Sequence, residues 1–214
     1  MDFLGLKTLS IIKEAVENIR QTRHIDLDID SIPIDDPKTY ELYSAGRTTG
    51  TFQFESAGMQ KYLKELQPSK FEDLIAMNAL YRPGPMDYIP SFIARKQGKE
   101  EIKYDIPVME RYLKDTYGIT VYQEQVMQIV RDLAGYTLGR SDLVRRAMSK
   151  KKGSVMEQER KNFVYGNEEE GVPGCIANGI DEKIANKIYD EMMDFAKYAF
   201  NKSHAAAYAV VAYQ

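Results

Sequence analysis

Pro83-Gly84-Pro85 interrupts a chain whose apolar residues otherwise recur at helical spacing. Proline lacks a backbone N–H and its ring collides with the preceding turn, so no helix runs through the pair. The pattern is one of separate helices punctuated by breaks. Leu6, Leu9, Ile12, Val16 and Ile19 share one helical face. Asp36-Pro37 reads as a helix start, with an acceptor at the cap and a proline at the first helical position, and that helix ends near Gly46. Ser56 can cap a helix to about Leu66, and Ser69-Lys70-Phe71-Glu72 reads as a capping box opening a helix that must stop at Tyr81-Arg82-Pro83. Further helices are expected over Tyr88–Lys96 and over Val121–Leu133, which Gly135 ends. Two more are expected after a Ser141 cap and over Asp181–Phe195. His24–Asp30 alternates apolar and acidic residues and reads as extended; Gly50–Phe54 reads as a short strand placing Gln53 and Glu55 on one side. Residues 166–175 read as a surface loop. The fold class expected is mainly α, a multi-helix domain with a few short β-strands.

Composition removes several function classes. No apolar stretch reaches the ~20 residues a membrane helix needs, and no charged-then-apolar leader opens the chain. One cysteine, Cys175, forms no internal disulfide and fits a reducing cytoplasm. One cysteine and two histidines argue against structural zinc. The net charge of −3 hides an uneven distribution: residues 24–41 hold six acids against one base, and residues 139–165 hold eight bases against three acids. An anionic partner belongs at the second region.

Three places present cations. Leu143–Gly153 carries five cations within eight residues, including Arg145, Arg146 and Lys150. Arginine grips phosphate by a fork and lysine as a point charge, so the run suits phosphates; it equally suits a solvated helix face. In Asn201-Lys202-Ser203-His204, two cations precede an apolar helical run. Cations there oppose the helix dipole unless an anion is close, and a phosphate would use the free N–H groups together with both side chains. The other reading has Lys202 in solvent and His204 packing. Pro83 forces Arg82 out of helical geometry, into a stiff turn that can present a guanidinium to phosphate or carboxylate, or simply end the helix. Asp2 has no carboxylate partner downstream, and Asp26, Asp28 and Asp30 read as a solvated face. Both ends read as cut, the last helix stopping without a terminating signal, so an excised piece is expected.

Taken together these stretches resemble the C-family replicative DNA polymerases, the bacterial DNA polymerase III α subunits. The matching blocks are DFLGL at 2–6, TFQFES at 51–56, FEDLIA at 71–76, YRPGP at 81–85, YGITVYQEQVM at 117–127, AGYTLG at 134–139, LVRRAMSKKK at 143–152 and FNKSHAAAYA at 200–209. They stand in the family's order across nearly the whole chain.

The resemblance implies that residues 1–6 are the end of the polymerase palm and 7–214 a fingers domain. Such a domain would bind an incoming deoxynucleoside triphosphate (dNTP) and primer-template DNA. Arg145, Arg146, Lys202 and His204 would meet the triphosphate, joined by Arg82 and Lys150. Asp2 would be the third catalytic carboxylate and a ligand of Mg2+ in a two-metal site whose other two carboxylates lie upstream. The full-length protein would be a cytoplasmic DNA-directed DNA polymerase, working with other replicase subunits including the sliding clamp; the piece alone would be inactive. The competing reading is a helical module that binds nucleic-acid backbone or an acidic partner without catalysis.

Overall fold

The structure is a computed structural model, and it describes residues 5–149 and 153–214. Asp2, Lys150, Lys151 and Lys152 lie outside the described residues. The chain forms two compact units, one of residues 1–78 with 205–214 and one of residues 79–204.

The first unit holds α1 (Lys7–Arg23), α2 (Pro37–Ser44), α3 (Ala57–Leu66) and most of α4 (Phe71–Leu80). The Asp36 side chain accepts from Thr39 N–H and starts α2, and Ser56 does the same for α3 through Met59 N–H. Tyr43 and Phe54 pack edge to face at 5.2 Å, and Tyr43 Oη donates to Ala212 O at 2.9 Å. The α1 face is amphipathic as expected, yet none of its described residues is buried.

The second unit holds α5 (Ile89–Lys96), α6 (Glu110–Leu113), α7 (Gln123–Ala134), α8 (Leu138–Ser149), α9 (Gly153–Tyr165) and α10 (Glu182–Ala196). The last helix, α11 (Lys202–Tyr213), starts here and runs on into residues of the first unit. Val126, Ile129, Val130 and Leu133, the expected face of α7, are at most 2% exposed. They join Phe163 and Val164 of α9 and Ile188, Tyr189 and Met192 of α10 in one core. Each such side chain contributes roughly 1.5–3 kcal/mol on burial.

Gln125 completes this core with a buried amide. Its Oε1 accepts from Val121 N–H at 2.7 Å and Tyr122 N–H at 2.9 Å, and its Nε2 donates to Thr116 Oγ1 at 2.8 Å and Tyr112 O at 3.1 Å. All four hydrogen bonds an amide can make are therefore formed.

Several expectations need correction. The few short β-strands are not found among the described residues, which show two isolated bridges, Tyr122 with Phe200 and Asn167 with Val172. Gly50–Phe54 is two consecutive turns, closed by Thr51 N–H to Thr48 O and Phe54 N–H to Thr51 O. Gln53 takes a positive φ of 66°, so the alternation that would align Gln53 with Glu55 is lost. His24 is left-handed at φ 56° and caps α1, and although Asp28 is extended, the following residues close into a 3-10 turn (Ile29–Ser31) on the Asp28 carboxylate rather than continuing a strand. Ser141 lies inside α8; Thr137 Oγ1 accepts from Arg140 N–H at 3.2 Å and starts that helix a turn earlier. Ser69 N–H is taken by buried Asp73 at 3.0 Å, not by Glu72. The 166–175 loop has an exposed tip, but its end is pinned by Gly174 N–H to Ala134 O and Cys175 N–H to Phe163 O. Burial pushes the Cys175 thiol up to about 12, which leaves it protonated and unreactive.

Replacing Gln125 by leucine would orphan the Val121 and Tyr122 N–H groups inside the core and take one bond each from Tyr112 O and the Thr116 hydroxyl. The expected loss of stability is about 2–4 kcal/mol by chemical denaturation, against under about 1 kcal/mol for exposed Gln128→Leu.

Candidate functional site

Cations from three separate stretches of the sequence approach one another in the second unit, around residues 198–204. The first turn of α7 is the anchor. Phe200 N–H donates to Val121 O at 3.1 Å, and Gln123 N–H donates to Phe200 O at 2.9 Å. These bonds bring the start of α11 beside the start of α7.

Arg82 supports the same segment from the other direction. Its Nε donates to Ala79 O at 2.9 Å, its Nη2 donates to Tyr198 O at 2.7 Å, and its guanidinium carbon stands 4.3 Å from the centre of the Phe200 ring. Burial lowers its pKa, the cost of a partly desolvated guanidinium. Gly84 explains why the turn is so tight. Its φ is 100°, and a Cβ there would fall 2.5 Å from the Tyr198 ring, so only glycine fits.

Lys202 opens α11 with its Nζ 5.5 Å from the Tyr122 ring centre. The anion found at this helix start is the chain's own Glu124 rather than a phosphate. One of its carboxylate oxygens accepts from Lys202 N–H at 3.0 Å and the other from Asn201 Nδ2 at 2.9 Å. Asn201 Oδ1 accepts from His204 N–H at 2.8 Å and acts as the cap. The His204 side chain is exposed, with its ring 5.3 Å from that of Phe200.

Arg145 reaches the cluster through α8. Its Nη1 donates to Gln123 Oε1 at 3.0 Å, and its Nε and Nη2 bind Asp142 Oδ1 at 2.8 and 2.7 Å. Arg146 takes the second Asp142 oxygen at 2.8 Å while its side chain stays 64% exposed. The hydrogen bond from Arg145, backed by the charges of both arginines, holds the Asp142 carboxyl below its ordinary range.

The structure thus gathers Arg82, Lys202 and His204 on one segment, with Arg145 tied to it through Gln123 and Arg146 beside Arg145 on Asp142. Lys150 and Asp2, outside the described residues, cannot be placed against it. Among the described residues no group of three or more histidine, cysteine or acidic side chains is arranged to hold a metal. The described residues therefore do not by themselves fit a Mg2+ site.

Residues 8–171 match the family model described as the bacterial DNA polymerase III alpha subunit finger domain. This chain belongs to that family. Across its full length it is 49% identical to DNA polymerase III subunit alpha of Thermus aquaticus, covering 17% of that protein. It is 48% identical to the same subunit of Halalkalibacterium halodurans, covering 18%, and 54% identical to that of Chlamydia trachomatis, covering 17%, in each case over the whole chain. The chain thus spans about a sixth of the length of these curated relatives. It is a finger-domain sequence of a polymerase III α subunit, as the ordered motifs implied, and no helix among the described residues is long and apolar enough to cross a membrane.

Gln123, Glu124, Asp142 and Phe200 are the finger-domain residues that sequence reasoning missed. Glu124 carried a signal, being an acid in the first turn of α7, where the dipole favours it. Its second use, at a helix start 78 residues away, has no local signature.

The lowered Asp142 value has a direct consequence. A carboxyl depressed in the folded state adds stability above its unfolded value, which is lost as pH falls through the folded one. Carbon-detected NMR titration should place Asp142 below ordinary carboxylates, and Arg145→Ala should move its midpoint up. An unmoved midpoint would mean that Arg145 does not hold the carboxylate.

Proposed function

We propose that the full-length protein is a DNA-directed DNA polymerase of the cytoplasm, in which residues 7–214 act as fingers that bind the triphosphate of the incoming dNTP against primer-template DNA. Residues 1–6 would then end the palm. The observation that carries this reading is the meeting of Arg82, Arg145, Lys202 and His204 about residues 198–204. A triphosphate spreads its charge over several groups, and cations from separate elements can each take one where a single helix face could not.

Arg145 and Arg146 share Asp142, so their forks are oriented before ligand arrives. Lys202 adds a flexible point charge, His204 stands beside it, and Arg82 supplies charge while bracing the segment; Lys150 would join them as a further point charge. Two of the backbone donors at the α11 start are occupied, Lys202 N–H by Glu124 and His204 N–H by Asn201. Side chains therefore do most of the gripping. The metal chemistry of such an enzyme would be supplied by Mg2+ held by Asp2 with carboxylates from elsewhere in the full-length protein, so this chain by itself would be inactive. Other replicase subunits, including a sliding clamp, would be its partners.

In the full-length protein, Arg146→Ala and Lys202→Ala should each slow single-turnover nucleotide incorporation at low dNTP by roughly ten- to a hundredfold while primer-template affinity changes little. Wild-type rates in both variants would overturn the assignment.

A further inference from the structure

Glu124 is an acidic side chain set directly against the start of α11, and the triphosphate reading gives it no part. A carboxylate beside cations meant for phosphate would be expected to weaken binding by repulsion. Its contacts point the other way. Both carboxylate oxygens are engaged by the 201–202 segment, by Asn201 Nδ2 and by Lys202 N–H. The same side chain sits in the first turn of α7. One negative charge therefore serves two helix N-termini and offsets the unfavourable placement of Lys202 and His204.

Its neighbour Gln123 makes the matching link on the other side. The Gln123 amide accepts from Arg145 Nη1 at 3.0 Å and donates to Ala199 O at 3.3 Å, while its backbone N–H holds Phe200 O. Two consecutive residues thus register the α8 arginine and the α11 lysine against the same short segment.

We infer that Glu124 is a positioning residue for nucleotide binding: it fixes the first turn of α11 through Asn201 and the Lys202 backbone, so that the Lys202 ammonium stands over Tyr122 where a phosphate can reach it. Gln123 does the same for Arg145. The inference rests on the triphosphate reading above. It makes Glu124 a residue that strengthens anion binding although it carries the sign of the anion.

The test is a double-mutant cycle in the full-length polymerase subunit, reading single-turnover incorporation against dNTP concentration for Lys202→Ala, Glu124→Ala, Glu124→Gln and the Glu124→Ala/Lys202→Ala pair. Lys202→Ala should raise the half-saturating dNTP concentration about tenfold, Glu124→Ala should come close to that, and the pair should exceed Lys202→Ala by no more than about twofold, since both changes remove one function. The maximal rate and primer-template affinity should stay near wild type, a split that general loss of structure would not give. Glu124→Gln keeps an acceptor for Lys202 N–H and should fall between wild type and Glu124→Ala. Effects that multiply in the pair to about a hundredfold, or tighter dNTP binding in Glu124→Gln, would overturn the positioning role. Wild-type values for Lys202→Ala and for Arg146→Ala, measured alongside, would instead overturn the triphosphate reading on which it rests.

Discussion

Two backbone hydrogen bonds, from Phe200 N–H to Val121 O and from Gln123 N–H to Phe200 O, tie together the entries of two helices far apart in sequence. Nearly every feature of the candidate site hangs on that short pairing. It aims Phe200 at the Arg82 guanidinium, sets Lys202 beside the Tyr122 ring, and puts Glu124 within reach of the next helix start. The pairing is itself held from within, because the Gln125 amide takes the Val121 and Tyr122 N–H groups on the core side. A buried polar group with every bond made fixes one arrangement and penalises the alternatives. Rigidity of the core is in this way passed to a segment that is partly open to solvent.

The electrostatic layout follows a consistent logic. Asp142 is shared by Arg145 and Arg146, and Glu124 accepts from the backbone N–H of Lys202. Arg146 stays 64% exposed on its carboxylate, and the Lys202 ammonium stands 5.5 Å from the Tyr122 ring centre. Arg140, in the first turn of α8, and Glu159 of α9 use the opposite strategy: the two side chains are 15% and 7% exposed, paired with each other, and joined by Tyr136 Oη. A buried pair of this kind costs desolvation and gives geometric specificity, and here it locks α8 to α9 in the same core that seats α7. The surface cations are thus carried on a helix whose inner side is firmly held.

Much of this was legible in the residues. Helix starts at Asp36 and Ser56 declared themselves because capping is a local exchange between a side chain and the backbone three residues on. The α7 core face was visible as a 3.6-residue period. The break at Pro83-Gly84-Pro85 followed from covalent geometry. What could not be read was non-local. Thr137 displaced Ser141 as the start of α8 because Ser141 Oγ bonds back to Leu138 O, a choice that packing makes and spacing does not. Gly50–Phe54 looked like a strand by composition, but a strand needs a partner, and the Thr48 hydroxyl closes the segment onto Phe54 O instead. The cations of the site were all candidates from sequence. Their organisers were not, since Gln123 and Glu124 act on residues about 76 to 78 positions away.

The account stands or falls on whether residues 198–204 and the start of α8 form a ready frame for several phosphates at once. Amide chemical shifts of this chain, followed during titration with a dNTP and separately with the corresponding monophosphate, test that most directly. The account predicts shifts concentrated at 145–146 and 200–204, saturating with the triphosphate, much weaker with the monophosphate, and reduced as salt is raised. Equal responses to both nucleotides, or none at those residues, would contradict a preformed triphosphate frame.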